Sequence, residues 1–250
     1  MIGNTKLSLV VPCRNEEKII AGFIRKVPAY IDEIIIVDNN STDNTASAAK
    51  KAGALVVKEP RTVGGIGYGF AHMAGIAKAT GDFIIAMDGD DTYPVGQIKR
   101  IVTLMGKNNW DFVSCNRLPL TYPKAISPVR QLGIRMLNRL VFLLYGYPMG
   151  DILTGMWVVR RTVVSRLNLS AGDWNFSPEI KLAALVAPGV SFAQYHIPHF
   201  LRQQEISKQN ILKTGLAHVG YIVKRRLTTD NIFVGLLTQK VPYAFDKPYE

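Results

Sequence analysis

The 250-residue chain reads as a doubly wound α/β domain, a mostly parallel sheet flanked by helices, and three observations carry that expectation. Three apolar runs are continuous rather than alternating: Leu7-Ser8-Leu9-Val10-Val11-Pro12, Glu33-Ile34-Ile35-Ile36-Val37-Asp38 and Phe83-Ile84-Ile85-Ala86. Continuous runs mark strands buried on both faces, as parallel strands are. Helical segments over 16–27, 45–52 and 67–79 separate these runs. Strands alternating with helices of this length imply crossover connections and a parallel sheet. Each run also ends in polar residues, and the carboxyl ends of the strands are where open α/β sheets hold their ligands.

The first tip is Pro12-Cys13-Arg14-Asn15-Glu16-Glu17. The second is Asp38-Asn39-Asn40-Ser41-Thr42-Asp43, where Asp38 is a carboxylate placed to accept from a ligand N–H or hydroxyl. Ser41-Thr42-Asp43 offers caps for the helix that begins near Thr45, and capping alone accounts for Ser41 and Asp43. Arg61-Thr62-Val63-Gly64-Gly65-Ile66-Gly67-Tyr68-Gly69 has the Gly-x-Gly spacings of a dinucleotide fingerprint. It lies between the second and third tips, not directly after the first strand, so that reading fails. Backbone N–H groups of such a turn can still face a phosphate. The third tip is Met87-Asp88-Gly89-Asp90-Asp91. Clustered carboxylates at a strand tip suit Mg2+ or Mn2+, which also take oxygens from a substrate phosphate. Paired acids also occur in surface turns, so this tip carries weight only together with the other two.

Composition bounds the rest. The hydrophobic fraction of 48% and charged fraction of 20% are globular, and the length suits one large domain. That domain is expected over 1–227, with a ligand-and-metal half at 6–110 and a second half at 111–227; the tail 228–250 carries no readable chemistry. Cys13 and Cys115 form no disulfide or metal framework. The polar start and two cysteines lead to a cytoplasmic expectation. The longest uncharged stretch, 182–201, is broken by Pro188, Gly189 and Pro198 and reads as a helix end, a turn and a strand, not a membrane span.

Thirty Lys and Arg against nineteen Asp and Glu give a net charge of +11. No acid occurs over 112–150, where Arg117, Lys124, Arg130, Arg135 and Arg139 all fall. A one-sided basic block implies an anionic partner. Nucleic acid is not favoured: no basic strand is studded with aromatics and no reader motif is present. Taken as a helix at ~100° per residue, 130–145 gathers Gln131, Arg135, Asn138 and Arg139 within about 100° of arc. The rest of its circumference is apolar, which suits an anionic membrane interface or, equally, a core helix with a polar edge. Segment 211–227 is also apolar and basic, ending in Lys224-Arg225-Arg226.

Taken together, Val10-Val11-Pro12-Cys13-Arg14-Asn15-Glu16, Ile36-Val37-Asp38-Asn39-Asn40-Ser41-Thr42-Asp43 and Met87-Asp88-Gly89-Asp90-Asp91 resemble the three signatures of inverting family-2 glycosyltransferases with the GT-A fold. The resemblance spans roughly residues 6–165 in order and spacing. It implies a nucleotide-sugar donor, with Pro12, Arg14, Glu16 and Asp38 lining the base and ribose pocket. It implies that Asp88 and Asp90 hold ribose and a divalent metal, Mg2+ or Mn2+, and that the Gly65 loop passes close to the nucleotide.

The later order is similar to that of dolichyl-phosphate mannose synthases and bacterial polyprenyl-phosphate glycosyltransferases. It comprises Asn116-Arg117, the amphipathic segment, Asp151-Ile152-Leu153-Thr154-Gly155-Met156, and Arg202 to Lys208. That likeness implies a polyprenyl or dolichyl phosphate acceptor gripped by Arg117 and Arg130. It implies a late segment closing on the donor diphosphate through Arg202, Ser207 and Lys208, and a peripheral position at the cytoplasmic face of the membrane. Whether the chain acts alone, with a membrane protein or as a homo-oligomer is left open. The family usually has Asp-Ala-Asp-Leu followed by a glutamine; here Thr92 or Asp91 would supply the missing metal ligand. The alternative is a soluble relative with a sugar or other hydroxyl acceptor. Such an acceptor needs a base within hydrogen-bond reach, for which Asp151 and Glu179 are the candidates. Glu179 is also explained as an acid in a helix's first turn, and Asp151 as a turn residue.

Overall fold

A computed structural model describes residues 4–202, 210–228 and the backbone of 243–244. The elements run β1 (Leu7–Cys13), α1 (Glu17–Lys26), β2 (Glu33–Asp38), α2 (Thr45–Lys51), β3 (Leu55–Lys58), α3 (Tyr68–Lys78), β4 (Phe83–Ala86) and α4 (Ile98–Asn108). They continue with β5 (Phe112–Asn116), α5 (Pro128–Tyr145), β6 (Trp157–Arg160), α6 (Phe176–Val186), β7 (Phe192–His196), α7 (Ile211–Thr228) and β8 (Tyr243–Ala244). Among the described residues one sheet has the order β3-β2-β1-β4-β6-β5-β7-β8. All its pairings are parallel except those of β6, which runs antiparallel to β4 and β5. The expected mostly parallel sheet flanked by helices is what forms.

Both faces of the sheet are covered, which is why the strands read as unbroken apolar runs. Val10, Ile35, Val37, Ile84, Ala86 and Trp157 face a core built with α3, α5, α6 and α7. Leu9, Val11, Ile36, Ile85, Val113 and Val158 face a second core built with α1, α2 and α4. One glycine sets how closely a helix lies on the sheet: a Cβ on Gly75 of α3 would stand 2.3 Å from Val10 Cγ1. Helix α5 starts at Pro128, whose ring fits a first helical position, and stops at Gly146 with φ 69°. No described helix is long and apolar enough to cross a membrane.

Three features aim the strand tips at one place. First, β1 pairs with β2 on one side and β4 on the other, so a crevice opens at its carboxyl end. Second, each of the three tip loops holds one side-chain-bearing residue in the left-handed region, Asn15 (φ 55°), Asn40 (φ 58°) and Asp91 (φ 65°). Asn and Asp tolerate this conformation because their short polar side chains bond locally. Third, the first two loops are stitched together: Ser41 Oγ accepts from Asn15 N–H at 3.0 Å, Thr45 Oγ1 from Glu16 N–H at 2.7 Å, and Asn15 Oδ1 from Thr42 N–H at 2.8 Å. Ser41 is therefore a loop clasp rather than a helix cap. Asp43 does serve the start of α2, accepting from Thr45 N–H at 3.0 Å.

Candidate active site

The strand tips, the starts of α5 and α7 and the segment after β7 enclose a cavity of about 680 Å³. Pro12, Arg14 and Glu16 line it from the first tip, Asn39 from the second, and Asp88, Asp90 and Thr92 from the third. Arg117, Arg130 and Arg202 line it from the other side. Asp38, Gly65 and Asp151 do not. The Asp38 carboxylate accepts from Ser41 N–H at 3.1 Å, and the next residue, Asn39, takes the cavity-facing position. Gly65 is tied to the rim instead, its carbonyl accepting at 2.7 Å from Arg14, which does line the cavity. Lys208, with Ser207, lies outside the described residues.

Asp88 lies partly buried beside Asp90, and its carboxyl is raised to about 7, first by burial and then by the Asp90 charge. Tyr68 donates to Asp88 Oδ1 at 3.3 Å. Thr92 gives its hydroxyl to Asp90 Oδ1 at 2.6 Å, so it orients that carboxylate. Asp91 turns away to an ion pair with Lys26 of α1. Arg202 reaches Asp90 at 3.3 Å. Two carboxylates held together at the cavity wall are a donor set that fits a hard divalent cation. Among the described residues no third His, Cys, Asp or Glu completes a metal cluster, so a bound ion would draw its remaining oxygens from water or substrate.

The arginines converge opposite these acids. Arg117 lies in a buried, two-pronged pair with Asp151, at 2.6 Å and 3.1 Å. Burial opposes its charge, but Asp151 more than restores it, and the guanidinium is held above its ordinary range. Arg130 is lowered, first by burial and then by the charges of Arg117 and Arg202. Arg117 and Arg202 are near enough to depress Arg130, and the three cations make a seat for an anion. Neither acid read as a candidate base is free to act as one. Asp151 holds Arg117. Glu179 is fully buried and accepts from Ser170 N–H at 3.1 Å, Ala171 N–H at 2.8 Å and Tyr221 at 2.9 Å.

Beneath the acids runs the Asp151–Met156 segment as a strap, whose contacts the sequence does not announce. Ala86 of β4 and Ser114 of β5 both pair with Trp157 of β6, so the residues entering β6 pass beside both tips. Gly155 N–H donates to Tyr93 Oη at 2.7 Å. The Thr154 carbonyl accepts from Lys181 Nζ at 2.8 Å, and Lys181, fully buried in α6, also donates to the Ser177 carbonyl at 2.8 Å. Burial brings Lys181 down to about 7, against the pull of Asp151. A Cβ on Gly155 would stand 2.6 Å from Asp88 Oδ2. Gly155→Ala should therefore push the Asp88 carboxylate aside and weaken Mn2+-dependent nucleotide binding about tenfold, as displaced ligand supports do. Calorimetry of UDP or GDP with Mn2+ checks this.

Three buried histidines surround the site and are kept neutral. Burial takes His72 and His199 down to about 3 and His218 to about 4. In the unfolded chain they bind protons below about pH 6.5. Unfolding below that pH takes up protons, so stability should fall as pH drops from about 6.5 toward 4. Asp88 acts in the opposite sense over part of this range, being protonated in the fold first. The net expectation is a melting temperature that declines below pH 6.5, which a pH series of thermal melts checks; a flat profile over that range would contradict it.

The family model for glycosyl transferase family 2 matches residues 8–167, and the chain belongs to that family. A low-salt glycan biosynthesis hexosyltransferase, Agl6 of Haloferax volcanii, is 27% identical over 224 residues, covering 87% of this chain and 53% of that protein. A dolichyl-phosphate hexose transferase of the same organism is 28% identical over 209 residues, covering 80% of this chain and 85% of that protein. The chain spans about half the length of the first curated relatives it matches. Glucosyl-3-phosphoglycerate synthase of Mycobacterium tuberculosis, solved with Mn2+, UDP-glucose and glycerol 3-phosphate, superposes with a TM-score of 0.72 at 20% identity, covering 92% of this chain and 83% of that one. That likeness is one of fold, and the fold is the GT-A fold expected.

Proposed function

We propose that the protein transfers a hexose, with inversion, from a UDP- or GDP-sugar to a polyprenyl or dolichyl phosphate at an anionic membrane surface. One observation carries this reading: a single cavity joins the Asp88–Asp90 pair to three converging arginines and to a partly apolar wall from α5 and α7. Names of relatives support it, among them the dolichyl-phosphate hexose transferase and an undecaprenyl-phosphate 4-deoxy-4-formamido-L-arabinose transferase of Enterobacter that is 30% identical over 175 residues.

Asp88 and Asp90 would hold the divalent ion, which would offset the charge gathering on the leaving nucleoside diphosphate. Arg202, beside Asp90, adds positive charge at the same place. Arg117 and Arg130 orient the acceptor phosphate, and Asp151 keeps Arg117 aimed. A phosphate is already an anion at neutral pH and needs positioning rather than a strong base. The structural use of both Asp151 and Glu179 therefore favours phosphate over a hydroxyl acceptor. The two helices at the cavity mouth expose apolar side chains, Leu132 and Met136 on α5 and Leu212 and Leu216 on α7. Together with Arg135 and Arg139 they suit an anionic lipid surface.

The test is release of nucleoside diphosphate from a panel of UDP- and GDP-sugars with Mn2+ or Mg2+, offering polyprenyl phosphate and 3-phosphoglycerate as rival acceptors. Release that needs both metal and the lipid phosphate is the expected result. Release driven by 3-phosphoglycerate and indifferent to the lipid would replace this reading with a soluble phosphate acceptor.

A further inference from the structure

Two helix-interior glycines, Gly133 in α5 and Gly215 in α7, both line the cavity. A Cβ built on either meets no atom within 4 Å. The buried glycines of α3 are explained by crowding: a Cβ on Gly69 would stand 1.9 Å from the Ala171 carbonyl oxygen, and one on Gly75 2.3 Å from Val10 Cγ1. No such crowding demands glycine at 133 or 215, and neither has a positive φ. Glycine inside a helix is less stable than alanine, so folding alone favours a side chain at both places. Openness is not enough in itself, since Gly106 and Gly220 are equally open but do not line the cavity. What sets Gly133 and Gly215 apart is that the free space they leave belongs to the cavity.

The residues bordering the cavity include apolar side chains, Ile134 and Leu137 from α5, Leu153 from the strap and Ile211 from α7, beside the polar Thr214 and His218 of α7. Helices α5 and α7 are tied at their C-terminal halves, where Tyr145 donates to the Ile222 carbonyl at 3.1 Å and Arg226 to the Leu144 carbonyl at 2.8 Å. Their N-terminal halves both border the cavity. Arg117 and Arg130 line the same cavity, and the exposed side chains of Leu132 (59%), Met136 (63%), Leu212 (77%) and Leu216 (74%) lie on the same two helix halves.

We infer that the gap between α5 and α7 is a seat for the first isoprene units of the acceptor, with Gly133 and Gly215 leaving the width that a methyl-branched chain needs. The inference rests on the lipid-phosphate reading above. Its logic is charge and shape complementarity: a cationic seat continuous with an apolar slot matches an amphiphile with an anionic head. The chain would leave the arginines, pass the two glycines and emerge beside the apolar side chains that face the membrane.

The test compares Gly133→Leu and Gly215→Leu, singly and together, with Gly133→Ala and Gly215→Ala. All five variants should melt at or above the wild-type temperature, because each replaces a helix-interior glycine. Acceptor KM is measured with citronellyl phosphate and with undecaprenyl phosphate, and UDP or GDP binding with Mn2+ by calorimetry. The expected result is that wild type prefers the longer chain. The leucine variants should raise the undecaprenyl phosphate KM at least tenfold, lose most of the chain-length preference and bind nucleotide as before. The alanine variants, which add one methyl each, should fall between wild type and the leucine variants. Leucine variants with unchanged KM for both acceptors would overturn the slot while leaving lipid-phosphate transfer standing. Wild-type protein that turns over neither lipid phosphate would overturn both.

Discussion

Asp88→Asn should lower kcat/KM about 10³-fold or more at saturating Mn2+, several kcal/mol being the scale on which a catalytic metal acts. The same substitution should leave the melting temperature unchanged or higher. Asp88 lines the cavity beside Asp90, and partial burial with that neighbouring charge raises its carboxyl to about 7. Its ionised form is therefore a cost to the fold near neutral pH, and an asparagine of the same shape removes that cost. The hydrogen bond from Tyr68 survives, because an amide oxygen accepts it equally. Loss of transfer with undiminished stability separates a metal ligand from a structural acid. Paired thermal melts and steady-state assays supply both numbers, and a large fall in melting temperature would contradict the assignment. Asp90→Asn should lose transfer too, with the added loss of its contact to Arg202.

The second large effect is at Arg117. Arg117→Ala should abolish acceptor turnover while nucleotide binding with Mn2+ stays near wild type. It should also cost stability, about 3–5 kcal/mol, because removing one member of a buried ion pair strands the other. The stranded group is the Asp151 carboxylate, which is fully buried and keeps only backbone donors, Leu153 N–H at 3.2 Å and the N–H of residue 117 at 3.4 Å. The double variant Arg117→Met with Asp151→Asn should recover most of that stability and none of the turnover. Denaturant titrations of the three proteins beside their acceptor kinetics make the comparison. Recovered turnover in the double variant would show that Arg117 is only a brace.

The three strand tips were legible because continuous apolar runs and their polar ends are local signals; β2 and β4 have the expected bounds and β1 is one residue longer. Helix α4 was equally legible, with Ile98, Ile101, Val102 and Met105 at helical spacing and all buried, but it went unread. Strand β3 was hidden by its position at the sheet edge, where Leu55 and Lys58 are exposed and the run is short. Strand β6 is four residues long and antiparallel in a sheet otherwise parallel, so nothing in its own sequence announces its direction. Its register is what brings Gly155 against Asp88 and Asp151 to Arg117. That is why Lys181, linked to the site through the Thr154 carbonyl, carried no sequence signal. Asp38 shows a smaller limit: at a strand tip, adjacent side chains point opposite ways, and a local turn decided that Asn39 rather than Asp38 faces the cavity.

The most direct test of lipid-linked transfer follows the sugar itself. Radiolabelled UDP-glucose or GDP-mannose is incubated with the protein, Mn2+ and undecaprenyl or dolichyl phosphate, and the label is partitioned between water and organic solvent. Lipid-linked transfer predicts label in the organic phase that requires Mn2+, requires the lipid phosphate and disappears with Asp88→Asn. Label that stays in water with every lipid phosphate and every donor of the panel, while nucleoside diphosphate is still released, would contradict it.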